Sequence, residues 1–529
     1  MRIYPFSLLL LTLSLLITWP ITAQPDSNIP FIRVGLIDQK DTVYFRIKTR
    51  SNNNSSGFKN HPWKVTVLNG KPAIVTYRLS VGTSKDSSRA ADILDFATRR
   101  GLSVELYKHT LATSFKFEFA HQHIYKVLLR AVFHNKEDAT QHQLRTRERM
   151  NSEIIKLPIS RSTGVLQFTN ITTGDQFTSA NKLRLAAKAI ELTDMDVGIG
   201  YHWQSGQHRQ YTGTLEFLID EDGRLSLINE LPFEEYIRGV VPAEMPPGFP
   251  QEALKAQAIA ARSEAVSKIG LRHFSDAYDL CDDVHCQVYA GLSKRAPRTD
   301  LAVESTRGIF MIYENQIAEA YYSAVCGGHT ENNENVWQAE AKPFLRGQID
   351  ASQSVFSSLR DEKTLRAWIR VRPPVFCNTL EVDVPSALFY TRKYFRWHLD
   401  YDRSELEKII SSKTGKNFGR LIDLRVLQRG VSGRVITVEV IGSDARFVLN
   451  RELQIRQSLS ENTLYSSCFY IDKSSWASGI PGKFSIHGAG WGHGVGMCQS
   501  GAAMRAYHNE KFDKILTHYY PGISLKTLY

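Results

Sequence analysis

The segment "FPQEALKAQAIAARSEAVSKIG", residues 249 to 270, constrains this chain more than any other. Pro250 stands where a first helical turn tolerates a residue without an N–H, and Gly270 stands where a helix can stop in the left-handed region. The pattern predicts a helix over about residues 250–269. Ala253, Leu254, Ala256, Ala258, Ile259, Ala260, Ala261 and Ala265 encircle its axis instead of lining one stripe, which is the pattern of a helix packed on most sides. Lys255, Gln257 and Arg262 then need polar partners, because a buried unpaired charge is strongly unfavourable. A carboxylate or the oxygens of a bound ligand would satisfy them. Lys255 and Arg262, seven residues apart, fall on nearly the same face, since seven steps of ~100° almost close two turns.

Such a helix belongs to a sizeable core, and the chain is long enough for several. Met1–Ala23 reads as a secretory leader, with an apolar stretch from Phe6 to Ile17 and the small-residue ending Ile21-Thr22-Ala23. The apolar run is shorter than the ~20 residues a spanning helix needs, and no later segment supplies them, so no transmembrane helix is expected in the mature chain. The rest, about 505 residues, has room for two to four domains. A formal charge of +11 suggests an anionic partner, with scattered, solvated lysines and arginines as the alternative. Export disfavours nucleic acid and favours cell-wall glycan, lipopolysaccharide or an anionic membrane face. The expected location is exported: periplasmic, extracellular or associated with the cell wall.

The expected fold class is α+β: a β-rich N-terminal region over 24–200, then a mixed α+β domain over 201–529 with an inserted subdomain at about 345–480. "FIRVGLI", "TVYFRIK", "WKVTVLNG", "AIVTYRLSVG" and "YKVLLRAVF" are strand-like runs bounded by turn formers. Between them "RAADILDFATRRGLSVELY" has helical spacing at Ala91, Ile93, Leu94, Phe96 and Ala97, stops at Gly101 and passes into a strand. This stretch resembles a sporulation-related repeat, which implies a small glycan-binding α+β module. Glu221-Asp222-Gly223 and the span Gly430–Gly433 mark hairpins.

Glu244 lies between a strand-like run, "VV", and the turn "MPPGF". Prolines limit the backbone there, and apolar Met245 and Phe249 can desolvate the carboxylate, which favours its protonated form and suits it to donate a proton. A surface or capping glutamate is the alternative. "HFSDAYDLCDDVHC" offers His273, Cys281, His285 and Cys286, the two imidazoles and two sulfurs that tetrahedral zinc takes; a disulfide between Cys281 and Cys286 is the alternative in an oxidising compartment. Cys377 and Cys468 bracket the inserted segment and could pair. Cys326, with His329, His487 or His493, could be read as a peptidase nucleophile. "HGAGWGHGVGMCQSGA" lacks the GK[ST] ending of a phosphate loop, and its His493 could contact sugar or be structural.

"LPFEEYIRGVVPAEMPPGFPQEALKAQAIAARSEA", "CDDVHCQVYAG", "AYYSAVCGGHTENNENVW" and "GAGWGHGVGMCQSGAAMRA" with "ILTHYYPG" follow one another in order. Together they resemble the stage II sporulation protein D and amidase-enhancer family over about residues 215–529. The resemblance implies a peptidoglycan lytic transglycosylase that prefers glycan strands stripped of stem peptides. By it Glu244 is the catalytic acid, Lys255, Gln257 and Arg262 match positions important to the groove, and a structural zinc sits on His273, Cys281, His285 and Cys286. The enhancer branch implies the other reading, a non-catalytic glycan binder that activates a cell-wall amidase.

Overall fold

Alternation along Phe31–Lys40 turns Ile32, Val34 and Leu36 to one face and buries them, the period-two signature of a strand with one wet side. In the computed structural model, which describes residues 29–50, 58, 61–198, 201, 204–337, 339–352, 358–380 and 384–529, this strand joins a nine-stranded sheet. The expected leader lies outside the described residues. The sheet runs, in spatial order, Leu280–Cys281, Phe31–Lys40, Leu225–Pro232, Ser205–Ile219, Lys182–Val197, Thr42–Arg50, Pro62–Lys71, Thr163–Asn170 and Gln176–Ala180. The boundary expected at residue 200 falls between two strands paired along their length, with Leu185 opposite Leu215 and Leu192 opposite Arg209. The N-terminal strands and the first strands of the domain expected from residue 201 therefore make one sheet over one core.

A smaller unit leaves this sheet between Pro62–Lys71 and Thr163–Asn170, which pair with each other. Its elements follow as strand Val75–Ser84, helix Ser87–Arg99, strands Val104–Thr110 and His123–Leu129, helix Lys136–Thr146 and strand Glu153–Pro158. This is the split β-α-β pattern, an antiparallel four-stranded sheet with a core of its own. Asp86 caps the first helix through its side chain, and Gly101 follows it in the left-handed region.

The inserted segment also has its own core, from Trp397 to Ile486, between the sheets formed by Arg396–Asp402, Phe469–Ser474 and Lys483–Ala489 and by Leu421–Arg429, Val435–Gly442 and Arg446–Asn450. Its expected start at about 345 comes earlier than that core, since Leu345, Leu359, Leu365 and Trp368 pack into the main one. Both expected hairpins are present, and the class is α+β. No helix among the described residues is long and apolar enough to cross a membrane.

The central helix is Gln251–Lys268, and its residues from Ala256 to Lys268 are all buried. It packs against helices Phe233–Glu244, Pro297–Ser305, Gln499–Tyr507 and Phe512–Tyr519 and against strand Ile309–Tyr313. Packing on most sides is what its ring of alanines allows, because small side chains let several elements approach one axis.

Candidate active site and metal centre

Glu244 closes the helix Phe233–Glu244. The expected strand-like entry is therefore corrected: "EEYIRGVVPAE" is helical. Phe233, Tyr236, Ile237, Val240 and Val241 recur at intervals of three and four and are all buried, so one apolar stripe outweighs the helix-weakening glycine, valines and proline. The next residue, Met245, is extended and begins the proline turn, in which the Phe249 N–H bonds the Pro246 carbonyl. The carboxylate at the end of this helix is thus held by a rigid element on one side and a stiff turn on the other.

Burial pushes the Glu244 carboxyl up to about 6, although the Val288 N–H, the Gln499 side chain and the charges of Lys268 and Lys294 all favour its ionised form. The Val288 N–H donates to Oε1 at 3.1 Å. The Gln499 amide also donates to the Gln257 Oε1 at 3.2 Å, so Gln257 reaches Glu244 only through Gln499. Gln257 is wholly enclosed, and its own Nε2 has no hydrogen-bond partner.

Two other residues expected in the groove lie elsewhere. Arg262 is fully buried and forks onto Glu234, with Nε to Oε1 at 2.9 Å and Nη2 to Oε2 at 2.8 Å. Its remaining bonds go to Thr306 Oγ1 and the Val303 carbonyl, so four of its five N–H donors are used within the core. Lys255 pairs with Glu252 at 2.8 Å and lies over the Phe512 ring, while Glu252 accepts the Phe512 N–H. The structure thus places Arg262 in a core clamp and Lys255, partly exposed, at a helix–helix contact.

His493 is half-buried beside the stacked rings of Tyr321 and Trp337, whose centroids are 4.3 Å apart. Its Nδ1 accepts the Val495 N–H at 3.0 Å, and burial pushes it down to about 3, so the ring is neutral. The glycines around it serve close packing of the chain on itself. A Cβ on Gly496, at φ 70°, would strike the Tyr321 carbonyl.

His273, Cys281, His285 and Cys286 converge, with one donor atom from each all within 4.8 Å of one another. His285 Nδ1 is 3.7 Å from each sulfur and 3.3 Å from His273 Nε2. His273 turns its other nitrogen to Asp276 Oδ2 at 2.7 Å, the outer carboxylate that commonly orients a metal-binding imidazole. The donor set and its spacing fit a tetrahedral zinc with no position left open. Cys281 pairs with Gly35 of the first strand, which ties this loop to the large sheet. Two residues past Cys286 comes Val288, the donor to Glu244, and Lys268 reaches the Cys286 carbonyl at 2.6 Å. The four-donor loop and the carboxylate's support are one piece of backbone.

Gly239 shows how closely that piece is fitted. Its position on the helix Phe233–Glu244 faces Tyr289 and Gly291, and an added Cβ would overlap the Tyr289 ring and crowd the Gly291 carbonyl. Gly239→Ala should gain the usual helix propensity of ~1 kcal/mol yet lose about 1–3 kcal/mol to overpacking, and should shift the Val288 N–H away from Glu244. Chemical denaturation checks this; unchanged stability would refute the close fit.

Residues 221–313, which carry Glu244, the central helix and the four-donor cluster, match the family model described as "Stage II sporulation protein". The chain belongs to the SpoIID/LytB family. Residues 331–496 match a domain of unknown function. An uncharacterised protein of Brachyspira hyodysenteriae is 30% identical over 345 residues, 65% of this chain and 80% of that one. The amidase enhancer of Bacillus subtilis is 29% identical over 60% of this chain but only 44% of its own length. Stage II sporulation protein D of Bacillus amyloliquefaciens is 27% identical over 56% of this chain and 75% of its own. Among solved structures, the peptidoglycan binding domain of a B. subtilis cell wall lytic enzyme, CwlC, aligns over 17% of this chain and 99% of its own at 18% identity and a TM-score of 0.12. As a SpoIID/LytB protein, the chain has a role related to the cell wall.

Cys326, the alternative nucleophile, is buried with its sulfur 3.6 Å from Cys377 and 3.9 Å from Asp350. The pairing considered for Cys377 and Cys468 is also corrected, because Cys377 faces Cys326 while Cys468 donates to the Ser432 carbonyl at 3.3 Å. Sequence reasoning missed Gln499, Lys268 and the Val288 N–H. Gln499 had a signal: it is the amide in the glycine-rich family block, at the start of the helix Gln499–Tyr507.

Proposed function

We propose that this SpoIID/LytB protein is a peptidoglycan lytic transglycosylase acting on the bond between N-acetylmuramic acid and N-acetylglucosamine in peptide-stripped strands. One observation carries the reading: Glu244 is a desolvated carboxyl poised at about 6, where protonated and ionised forms interconvert near neutral pH. Protonated Glu244 gives its proton to the glycosidic oxygen as the bond from that oxygen to the muramic acid C1 breaks. The carboxylate so formed takes the proton of the C6 hydroxyl of the same muramic acid as O6 bonds to C1. The product is a 1,6-anhydro sugar, no water is consumed, and the intramolecular nucleophile replaces the second carboxylate of an ordinary glycosidase.

The chain's own residues supply the rest. Gln499 and the Val288 N–H fix the carboxylate, and the half-exposed Tyr321, Trp337 and His493 rings offer apolar faces to sugars. The lactyl carboxylates of a peptide-free strand suit a chain of charge +11, and an exported, wall-associated location follows from the substrate. Zinc on His273, Cys281, His285 and Cys286 would be structural, bracing the loop that carries Val288. His285→Ala is then expected to lower metal content by one zinc per chain, reduce thermal stability and slow cleavage. A native Cys281–Cys286 disulfide without metal would overturn the zinc reading.

The second reading, activation of a cell-wall amidase, draws on the enhancer named among the relatives. Mass spectrometry of digested peptide-free strands separates the two. Anhydro-muramic ends support the transglycosylase, reducing muramic ends mean hydrolysis, and intact strands with a stimulated amidase mean the activator.

A further inference from the structure

We propose that Cys326, Cys377, Cys498 and Asp350 form a second structural metal site, one that takes zinc or another thiophilic divalent cation. Their donor atoms all lie within 4.8 Å of one another, and all four residues are buried. Zinc–sulfur bonds of ~2.3 Å at tetrahedral angles set sulfurs roughly 3.8 Å apart. Cys326 Sγ is 3.6 Å from Cys377 Sγ and 3.9 Å from Asp350 Oδ2.

Three features favour a metal over thiols or a disulfide. First, backbone N–H groups point at the sulfurs: Cys326 N–H to Cys498 Sγ at 3.1 Å, Gly501 N–H to the same sulfur at 3.4 Å, and Gly328 N–H to Cys326 Sγ at 3.3 Å. A thiol is a weak acceptor, whereas a metal-bound thiolate is negative and benefits from each donor. Second, Asp350 is oriented from outside the cluster. Tyr519 donates to its Oδ2 at 2.8 Å, Arg505 to its Oδ1 at 3.2 Å, and His518 lies 3.5 Å from Oδ1. Arg505, with Arg434 bonded to the Cys326 carbonyl, also offsets the negative charge that three thiolates and a carboxylate leave on a divalent cation. Third, a single disulfide would leave the remaining one of the three sulfurs unpaired in the core, while one cation takes all three together with the carboxylate. The cradle is tight: a Cβ on Gly501 would strike Asp350 and Tyr519.

The site would fasten Asp350 and Cys377, on the approach to the inserted core, to the two family blocks that hold Cys326 and Cys498. Cys498 is followed by Gln499, the side-chain partner of Glu244 and Gln257. The metal would thus fix the backbone from which that amide projects.

Metal analysis and X-ray absorption on the full mature protein test the proposal without relying on any variant. Two zinc ions per chain are expected, with a mean sulfur count per ion above the two that the His273 cluster alone would give. In the His285→Ala protein one equivalent should remain and its thiols should resist alkylation; adding Cys377→Ser should remove it. One zinc per chain with two sulfurs, a mapped Cys326–Cys377 disulfide, or Cys326, Cys377 and Cys498 alkylated as free thiols in native protein would each overturn it.

Discussion

Glu244→Gln is expected to lower turnover of peptide-free glycan by about a hundred to ten thousand fold while binding persists, because the amide keeps the shape of the side chain and cannot cycle a proton. The pH dependence has a definite sign. With the carboxyl at about 6, the acid form is nearly full below that pH, and the rate should fall about tenfold per unit well above it. Stability follows the same group. A carboxyl whose folded value is raised by burial contributes stability that is present below its unfolded value of about 4.5 and is lost as pH rises through 6. Glu244→Gln should therefore be more stable than the parent near pH 8, by at most about 2 kcal/mol at 1.36 kcal/mol per unit. Single-turnover cleavage and denaturation at several pH values measure both effects. Near-parental cleavage by the Gln protein would remove Glu244 from the chemistry.

The central helix was legible because its signals are local: Pro250 before it, Gly270 after it and alanines around it. Its neighbour was not. "IRGVVPAE" carries a glycine, two valines and a proline, and only the stripe from Phe233 to Val241, buried by other elements, decides for helix. The cysteines divide in the same way. His273, Cys281, His285 and Cys286 fall within one short stretch, so their types and spacing announce a cluster. Cys326, Asp350, Cys377 and Cys498 are dispersed from one family block to the last, and only the fold brings them together.

Arg262 illustrates the limit of reading charge from a sequence. The need for a partner was legible; the identity of that partner was not, because Glu234 sits on another helix and is brought to Arg262 by packing. Burial pushes the Glu234 carboxyl up, but Arg262, the Tyr529 hydroxyl and the Gly308 N–H together hold it below the ordinary glutamate range. Removing one member leaves the other charge buried alone, so Arg262→Ala should cost about 3–5 kcal/mol. Replacing both, Arg262→Met with Glu234→Leu, removes the unpaired charge and should restore most of that loss, since well-packed apolar substitutes for buried ion pairs are often neutral or stabilising. Chemical denaturation of the two singles and the double gives the coupling. Cleavage by whatever fraction remains folded should keep its KM, because Arg262 is fully buried and four of its five N–H donors are used within the core. A variant of parental stability with a raised KM for glycan would instead return Arg262 to the groove.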